Sequence, residues 1–174
     1  VKMSGKIHIY CGDGKGKTTA SVGLTIRMTG AGGRTLFAQF MKNGRSSELS
    51  VLRSLERVTV VTCNTVTGFY KNMTPEQRAQ ASRDYSAMLE QVLAAAGTVD
   101  LLVLDEILSA CNHGIVEEAV LRRFLEQRPA GLEVVLTGRD PSPALCAVAD
   151  YITEMKKQKH PYDTGVLARR GIEF

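Results

Sequence analysis

Eight residues, Gly12 to Thr19, read Gly-Asp-Gly-Lys-Gly-Lys-Thr-Thr and directly follow an apolar run. Their types and spacing suit one task, the holding of a polyphosphate. Glycines let the backbone turn tightly and aim its N–H groups at an anion. Gly12, Asp13, Gly14, Lys15 and Gly16 would form that cradle. Lys17 adds a mobile positive charge, and Thr18 offers a hydroxyl to a magnesium ion. Thr19 leads into a helix whose positive end faces the same place. The usual pattern has a glycine five residues before the Gly-Lys pair. Cys11 holds that position here. The rival reading is a glycine-rich strand-to-helix turn with nothing bound. The Gly-Lys-Thr ending, set between a strand and a helix, favours the phosphate site.

A second acidic signal lies downstream. Val99–Leu104 is nearly all apolar and ends in Asp105-Glu106. A strand end beside a phosphate loop brings a carboxylate to a magnesium ion, directly or through water. Thr18, Asp105 and Glu106 are therefore the candidate metal ligands; the alternative for the acidic pair is a helix N-cap. Arg139 follows another apolar run, Leu132–Thr137, where an arginine either grips phosphate bidentately or forms a surface salt bridge. Arg27, further along the first helix, reads from its position alone as part of a solvated face. Lys156, Lys157, Lys159 and His160 form a basic stretch. His160 there is a base, a ligand or a bystander. Phe69 and Tyr70 sit in a loop between polar residues, covering a core edge or meeting a flat apolar partner. No Ser-His-Asp set, zinc spacing or Cys-His pair emerges.

These residues need a scaffold, and the hydrophobic pattern supplies one. Short apolar runs alternate with helical periodicity, the mark of a mostly parallel sheet with helices on both faces. Strands are predicted at 6–11, 35–41, 58–63, 99–104, 132–137 and 151–155. Helices are predicted after the loop to the Gly30–Gly33 turn, with Val22, Leu24, Ile26 and Met28 as its apolar residues, and at 46–55, 74–96, 117–127 and 144–149. Thr74 and Gln77 form a capping-box pattern, with Pro75 in the first turn. The reading is an α/β P-loop NTPase-like fold, one domain over residues 1–174, with no linker or repeat.

Bulk properties narrow the function classes. A net charge of +4 is mild and suits anionic small molecules. A nucleic-acid partner would call for a denser basic face with interleaved aromatics, so none is expected. No apolar stretch is long enough to span a bilayer, and no signal-peptide core stands at the start. Cys11, Cys63, Cys111 and Cys146 are widely spaced and read as small buried residues of a reduced cytoplasm.

The chain resembles the ATP:corrinoid adenosyltransferases. The resemblance runs from Lys6 to Phe174 and is carried by Gly12–Thr19, Gln39-Phe40 with Lys42, Gly68-Phe69, Leu104-Asp105-Glu106, Thr137-Gly138-Arg139, Thr153-Glu154-Met155, and a tail from Lys159-His160 through Gly165-Val166 to Gly171-Ile172-Glu173-Phe174. The tail is the most specific part, since a generic P-loop ATPase has no reason to carry it. The family also lacks the first glycine of the loop. The resemblance implies transfer of the adenosyl group of ATP to the cobalt(I) of a corrinoid, with triphosphate leaving and ATP lying in the loop in reverse. It implies Mg²⁺, a homodimer and a reduced flavoprotein as electron donor. It places Gly12 to Thr19, Arg27, Arg139, Lys159 and His160 on the nucleotide, and Thr18 and Glu106, with Asp105 beside them, at the metal. Lys17, Arg139 and Phe69 become the catalytic candidates, Phe69 at the lower corrinoid face. One departure stands out. Relatives often carry a tryptophan two residues after that phenylalanine, where this chain has Lys71. Tyr70 is the candidate to supply the missing bulk. Two rival functions stand beside this one. A recombinase-like, DNA-associated ATPase would need a water-positioning residue, which Glu106 could be, and a basic groove. A nucleotide switch would need the guanine-reading Asn-Lys-x-Asp motif, which is absent.

Overall fold

The computed structural model describes residues 4–63 and 70–174. Six strands, β1 (Ile7–Cys11), β2 (Thr35–Gln39), β3 (Val58–Thr62), β4 (Leu101–Asp105), β5 (Glu133–Thr137) and β6 (Tyr151–Glu154), form one sheet. Its order is β3-β2-β4-β5-β1-β6, and every pairing is parallel. Six helices connect them: α1 (Lys17–Gly30), α2 (Glu48–Ser54), α3 (Pro75–Ala95), α4 (Ile107–Asn112), α5 (Glu118–Gln127) and α6 (Pro143–Val148).

Alternation along the strands builds a core on each face. On β4, Leu102 and Leu104 join a core with Tyr85, Leu89 and Val92 of α3, Ile107 and Leu108 of α4, Leu121 and Leu125 of α5, and Leu145 of α6. Leu101 and Val103 point the other way, to Phe37, Leu49 and Leu52, with Val22, Leu24 and Met28 of α1 packed alongside. So α1 and α2 cover one face, and α3 to α6 the other. The capping box of Thr74 and Gln77 is formed on both of its hydrogen bonds.

The first helix departs from the expected pattern. Its apolar residues are not its most buried ones: Ser21 and Thr25 are fully buried, while Ile26 is 45% exposed. Small hydroxylated residues at i, i+4 spacing let α1 lie close on the sheet. Each hydroxyl returns its proton to the preceding turn, Ser21 to Thr18 O, Thr25 to Ser21 O and Thr29 to Thr25 O. β2 stops at Gln39, short of its expected end at 41, and β4 starts two residues later than expected and takes in Asp105. A further difference is α4, a six-residue helix directly after the acidic pair that periodicity did not mark. It begins at Glu106, whose backbone is left-handed (φ 59°). Cys11, Cys111 and Cys146 are free thiols. Cys11 is buried as expected, whereas Cys63, Cys111 and Cys146 are half-buried.

One strand, β5, stands between β1 and β4. The loop after β1 and the carboxylate ending β4 therefore meet over the end of β5. Leu104 is fully buried on β4, the strand that carries that carboxylate. Leu104→Ala should lower unfolding free energy by about 2–5 kcal/mol through lost burial and a residual cavity, read as a lower midpoint in chemical denaturation.

Candidate functional site

The phosphate loop folds against the end of β6. Gly12 and Gly16 take left-handed backbone angles, φ 104° and 116°. A Cβ at Gly12 would stand 2.5 Å from Met155 O. Gly14 N–H donates to that same carbonyl at 2.6 Å. Lys157 N–H donates to Asp13 Oδ1 at 2.9 Å, and this bond, with Arg139 nearby, holds the Asp13 carboxyl below its ordinary range. The main chain after β6 thus braces the loop from outside.

Lys17 opens α1 and curls into the loop, donating to Gly12 O at 2.8 Å and Gly14 O at 2.7 Å. Burial pushes its ammonium below the ordinary range, with the Arg139 guanidinium adding to the shift and the Glu106 and Asp13 carboxylates opposing it. Glu106 directly follows β4 and Arg139 lies just beyond β5, so both stand at the ends of neighbouring strands. Arg139 itself is exposed, and Asn112 Nδ2 donates to its carbonyl at 2.9 Å.

Asp105 is the hub. It is fully buried. Thr18 Oγ1 (2.9 Å) and Thr137 Oγ1 (2.7 Å) donate to its Oδ1. Gln39 Nε2 (3.1 Å) and Lys42 Nζ (2.9 Å) donate to its Oδ2. Burial disfavours charge on Lys42, yet the Asp105 charge and hydrogen bond more than offset it, and the ammonium titrates above its ordinary range. Thr137 Oγ1 also accepts from Glu106 N–H at 2.9 Å, and Glu106 Oε2 accepts from Ser109 Oγ at 2.6 Å. Glu106 does stand at the N-cap of α4, but its side chain caps no backbone N–H.

Thr18, Asp105 and Glu106 offer a hydroxyl and two carboxylates, all hard oxygen donors. Among the described residues no three His, Cys, Asp or Glu side chains gather into a metal cage. That combination suits Mg²⁺, which binds through one or two carboxylates plus substrate phosphates.

Beside the loop lies a cleft of about 540 Å³, lined by Lys15, Thr18, Thr19, Lys42 and Glu48 and walled by the tail residues Gly171 to Phe174. Lys15 Nζ donates to Ile172 O at 3.0 Å and Ser47 Oγ to Phe174 O at 2.8 Å. Within the tail, Arg169 grips Glu173 through Nε at 3.2 Å and Nη2 at 3.0 Å.

The remaining sequence candidates are less concentrated. Arg27 is in the last turn of α1. Ten residues of helix separate it from Lys17, about 15 Å along the axis. Lys159 and His160 follow the segment that braces Asp13, and His160 Nδ1 accepts from Tyr162 N–H at 3.1 Å. Phe69, with Gly68, lies outside the described residues. Tyr70 has its ring committed within the chain: it stacks on His113 with centroids 4.2 Å apart and carries the Arg78 guanidinium 4.6 Å from its own. Gln39, Lys42 and Thr137 carried the resemblance without an assigned role. Their signal was a polar residue closing, or just following, an otherwise apolar parallel strand.

Comparison with known proteins now adds the family. A sequence profile described as ATP:corrinoid adenosyltransferase BtuR/CobO/CobP matches residues 3–174. The chain belongs to the ATP:corrinoid adenosyltransferase family. It is similar to a corrinoid adenosyltransferase of Pseudomonas aeruginosa, 33% identical over 98% of this chain and 84% of that one. A corrinoid adenosyltransferase of Escherichia coli is 32% identical over 98% of this chain and 86% of its own. One from a Sinorhizobium species is 32% identical, covering 98% and 80%. The match extends over the tail that walls the cleft.

The tail carries its own titration signature. Hydrogen bonds from the Arg169 side chain, then its main chain, hold the Glu173 carboxyl down at about 2, against an ordinary value of 4.5. A carboxyl lowered on folding contributes stability that is present above its ordinary value and is lost as pH falls through the lowered one. Carbon-detected NMR titration should therefore find Glu173 still ionised at pH 4, and Arg169→Ala, which removes the side-chain bonds but keeps the main-chain one, should raise it part of the way towards the ordinary glutamate range.

Proposed function

We propose that this chain transfers the 5′-deoxyadenosyl group of ATP to the cobalt(I) of a corrinoid, cobalamin or cobyrinic acid a,c-diamide, and releases triphosphate. The observation that carries this reading is family membership spanning both the phosphate loop and the tail that lies against it. The chain is read as one P-loop domain.

The chemistry asks for little acid–base work. The cobalt(I) substrate attacks C5′ with its own electron pair, the C5′–O bond breaks, and that pair leaves on triphosphate. Nothing has to be deprotonated, which accords with the lack of a catalytic triad. The leaving group carries the difficulty, since its charge must be stabilised as it departs. Lys17 and Arg139 are the cations proposed for that work, with Gly12 to Gly16 and Thr19 holding the phosphates. Thr18 and Glu106, with Asp105 beside them, would hold Mg²⁺, which when bound spreads the charge of the triphosphate. ATP is proposed to lie in reverse, so that its sugar carbon is presented to the corrinoid. Lys159 and His160 are proposed as nucleotide contacts. Arg27, at its distance, would meet a part of the nucleotide remote from the phosphates. Phe69 is proposed as an apolar wall that keeps an axial ligand off cobalt(II) and eases its reduction.

A reduced flavoprotein is the proposed electron donor. A homodimer is proposed as the assembly; the support is β6, an edge strand that leaves Tyr151 53% and Ile152 50% exposed. The thiols of Cys11, Cys111 and Cys146 suit a reduced compartment, and the cytoplasm is the proposed location. No described helix is long and apolar enough to cross a membrane.

The deciding assay mixes the chain with ATP, Mg²⁺ and chemically reduced corrinoid. Inorganic triphosphate and a light-sensitive alkylcorrinoid are expected; ADP and orthophosphate would overturn the reading in favour of hydrolysis. In the same assay Lys17→Ala should cost about 2–4 kcal/mol of transition-state stabilisation, roughly thirtyfold to a thousandfold in turnover.

A further inference from the structure

Lys42 holds a position that the expected chemistry reserves for something else. Its ammonium lies 2.9 Å from Asp105 Oδ2 and 3.1 Å from Thr18 Oγ1. These are two of the three side chains that would hold a divalent ion. The placement is built, not incidental. Phe40, two residues earlier, is fully buried and its N–H donates to Asp105 O at 2.8 Å. Met41 takes a left-handed turn, φ 53°. Tyr85 Oη donates to Lys42 O at 3.3 Å from the far side. The backbone is thereby fixed on both flanks, and the side chain extends over the strand ends to the hub. The Lys42 side chain is still 28% exposed, whereas Asp105 is 0% exposed. Its free side opens on the cleft shared with Lys15, Thr18 and Thr19.

Two cations cannot sit on the same pair of oxygens. Magnesium binds oxygen at about 2.0–2.1 Å. An ion that close to Thr18 Oγ1 and Asp105 Oδ2 would stand almost against the Lys42 ammonium, with little solvent to screen the repulsion. We infer that Lys42 is an internal counter-cation: it occupies the Thr18–Asp105 seat in the nucleotide-free protein, opposes divalent-ion binding there, and swings onto the polyphosphate when a divalent ion arrives with it. Lys42 is then a positioning residue that makes metal and triphosphate enter together. Its final position rests on the proposed ATP site; its opposition to free metal does not.

The test has a nucleotide-free arm. Full-length wild type, Lys42→Met and Lys42→Arg are titrated with Mn²⁺ alone, and free Mn²⁺ is read by electron paramagnetic resonance. Lys42→Met should bind one Mn²⁺ at least tenfold more tightly than wild type, while Lys42→Arg, which keeps the charge, should stay within about threefold of it. Equal affinity in wild type and Lys42→Met would overturn the inference. The second arm needs no variant and so survives a misfolded Lys42→Met. In wild type labelled with ¹⁵N-lysine, the Lys42 ammonium resonance should be unmoved by millimolar Mg²⁺ alone and should shift with Mg²⁺ plus inorganic triphosphate. A shift with Mg²⁺ alone, or none with both once calorimetry shows triphosphate bound, would also overturn it. Absence of any triphosphate binding would count against the ATP reading, and the Mn²⁺ arm would then decide the Lys42 claim alone.

Discussion

A carboxylate with no access to water must be satisfied from inside the protein, and Asp105 imposes that condition on everything around it. Its four donors come from the first turn of α1, the ends of β2 and β5, and the turn after β2. Each can arrive only if its own element is in register. Gln39 and Asp105 are paired directly across β2 and β4, so a one-residue slip would turn the amide to the other face. Thr18 can reach Asp105 only if α1 lies close on the sheet, and the Ser21, Thr25 stripe permits that approach. The Lys42–Asp105 pair, in which only the carboxylate is fully buried, adds little net stability, but removing the cation would leave a buried charge uncompensated. The hub therefore specifies an arrangement more than it strengthens the fold.

That arrangement also explains why distant segments matter to one loop. The loop's inner side is filled by Lys17, which bonds its own carbonyls. Its outer side leans on Met155 and Lys157 after the edge strand. Its rim is touched by the tail through Lys15 and Ile172. These braces hold the loop's backbone in place, and an arriving anion has to draw Lys17 off the Gly12 and Gly14 carbonyls.

The sequence was most informative where chemistry is local. Strand ends at Cys11 and Thr137, the capping box at Thr74 and the stop of α3 before Gly97 all follow from spacing within a few residues, while β4 runs one residue past its expected end, to Asp105. Helix α4 escaped because six residues give less than two turns of periodicity, and because its left-handed start at Glu106 has no preferred residue signature. The burial of α1 was misjudged because apolar periodicity predicts which face is greasy, not which face is close; the sheet took the small hydroxyls instead. At the site, the glycine-lysine run and the acidic pair were visible as motifs. They also set Thr18 beside Asp105, but the other partners of that carboxylate, Gln39, Lys42 and Thr137, are up to 66 residues from it in sequence and meet only through the strand order. The tail's contact with the loop, 157 residues away, is of the same kind.

The central claim is that cations and a braced loop restrain a triphosphate so that its sugar carbon, not its terminal phosphorus, is offered to the acceptor. A crystal structure of the chain with Mg²⁺, a non-reacting ATP complex and cobalt(II) corrinoid tests this most directly. The account predicts the triphosphate against Gly12 to Thr19 and C5′ facing the cobalt across an open gap. A γ-phosphorus turned to the acceptor cavity, with the ribose directed away into solvent, would contradict it.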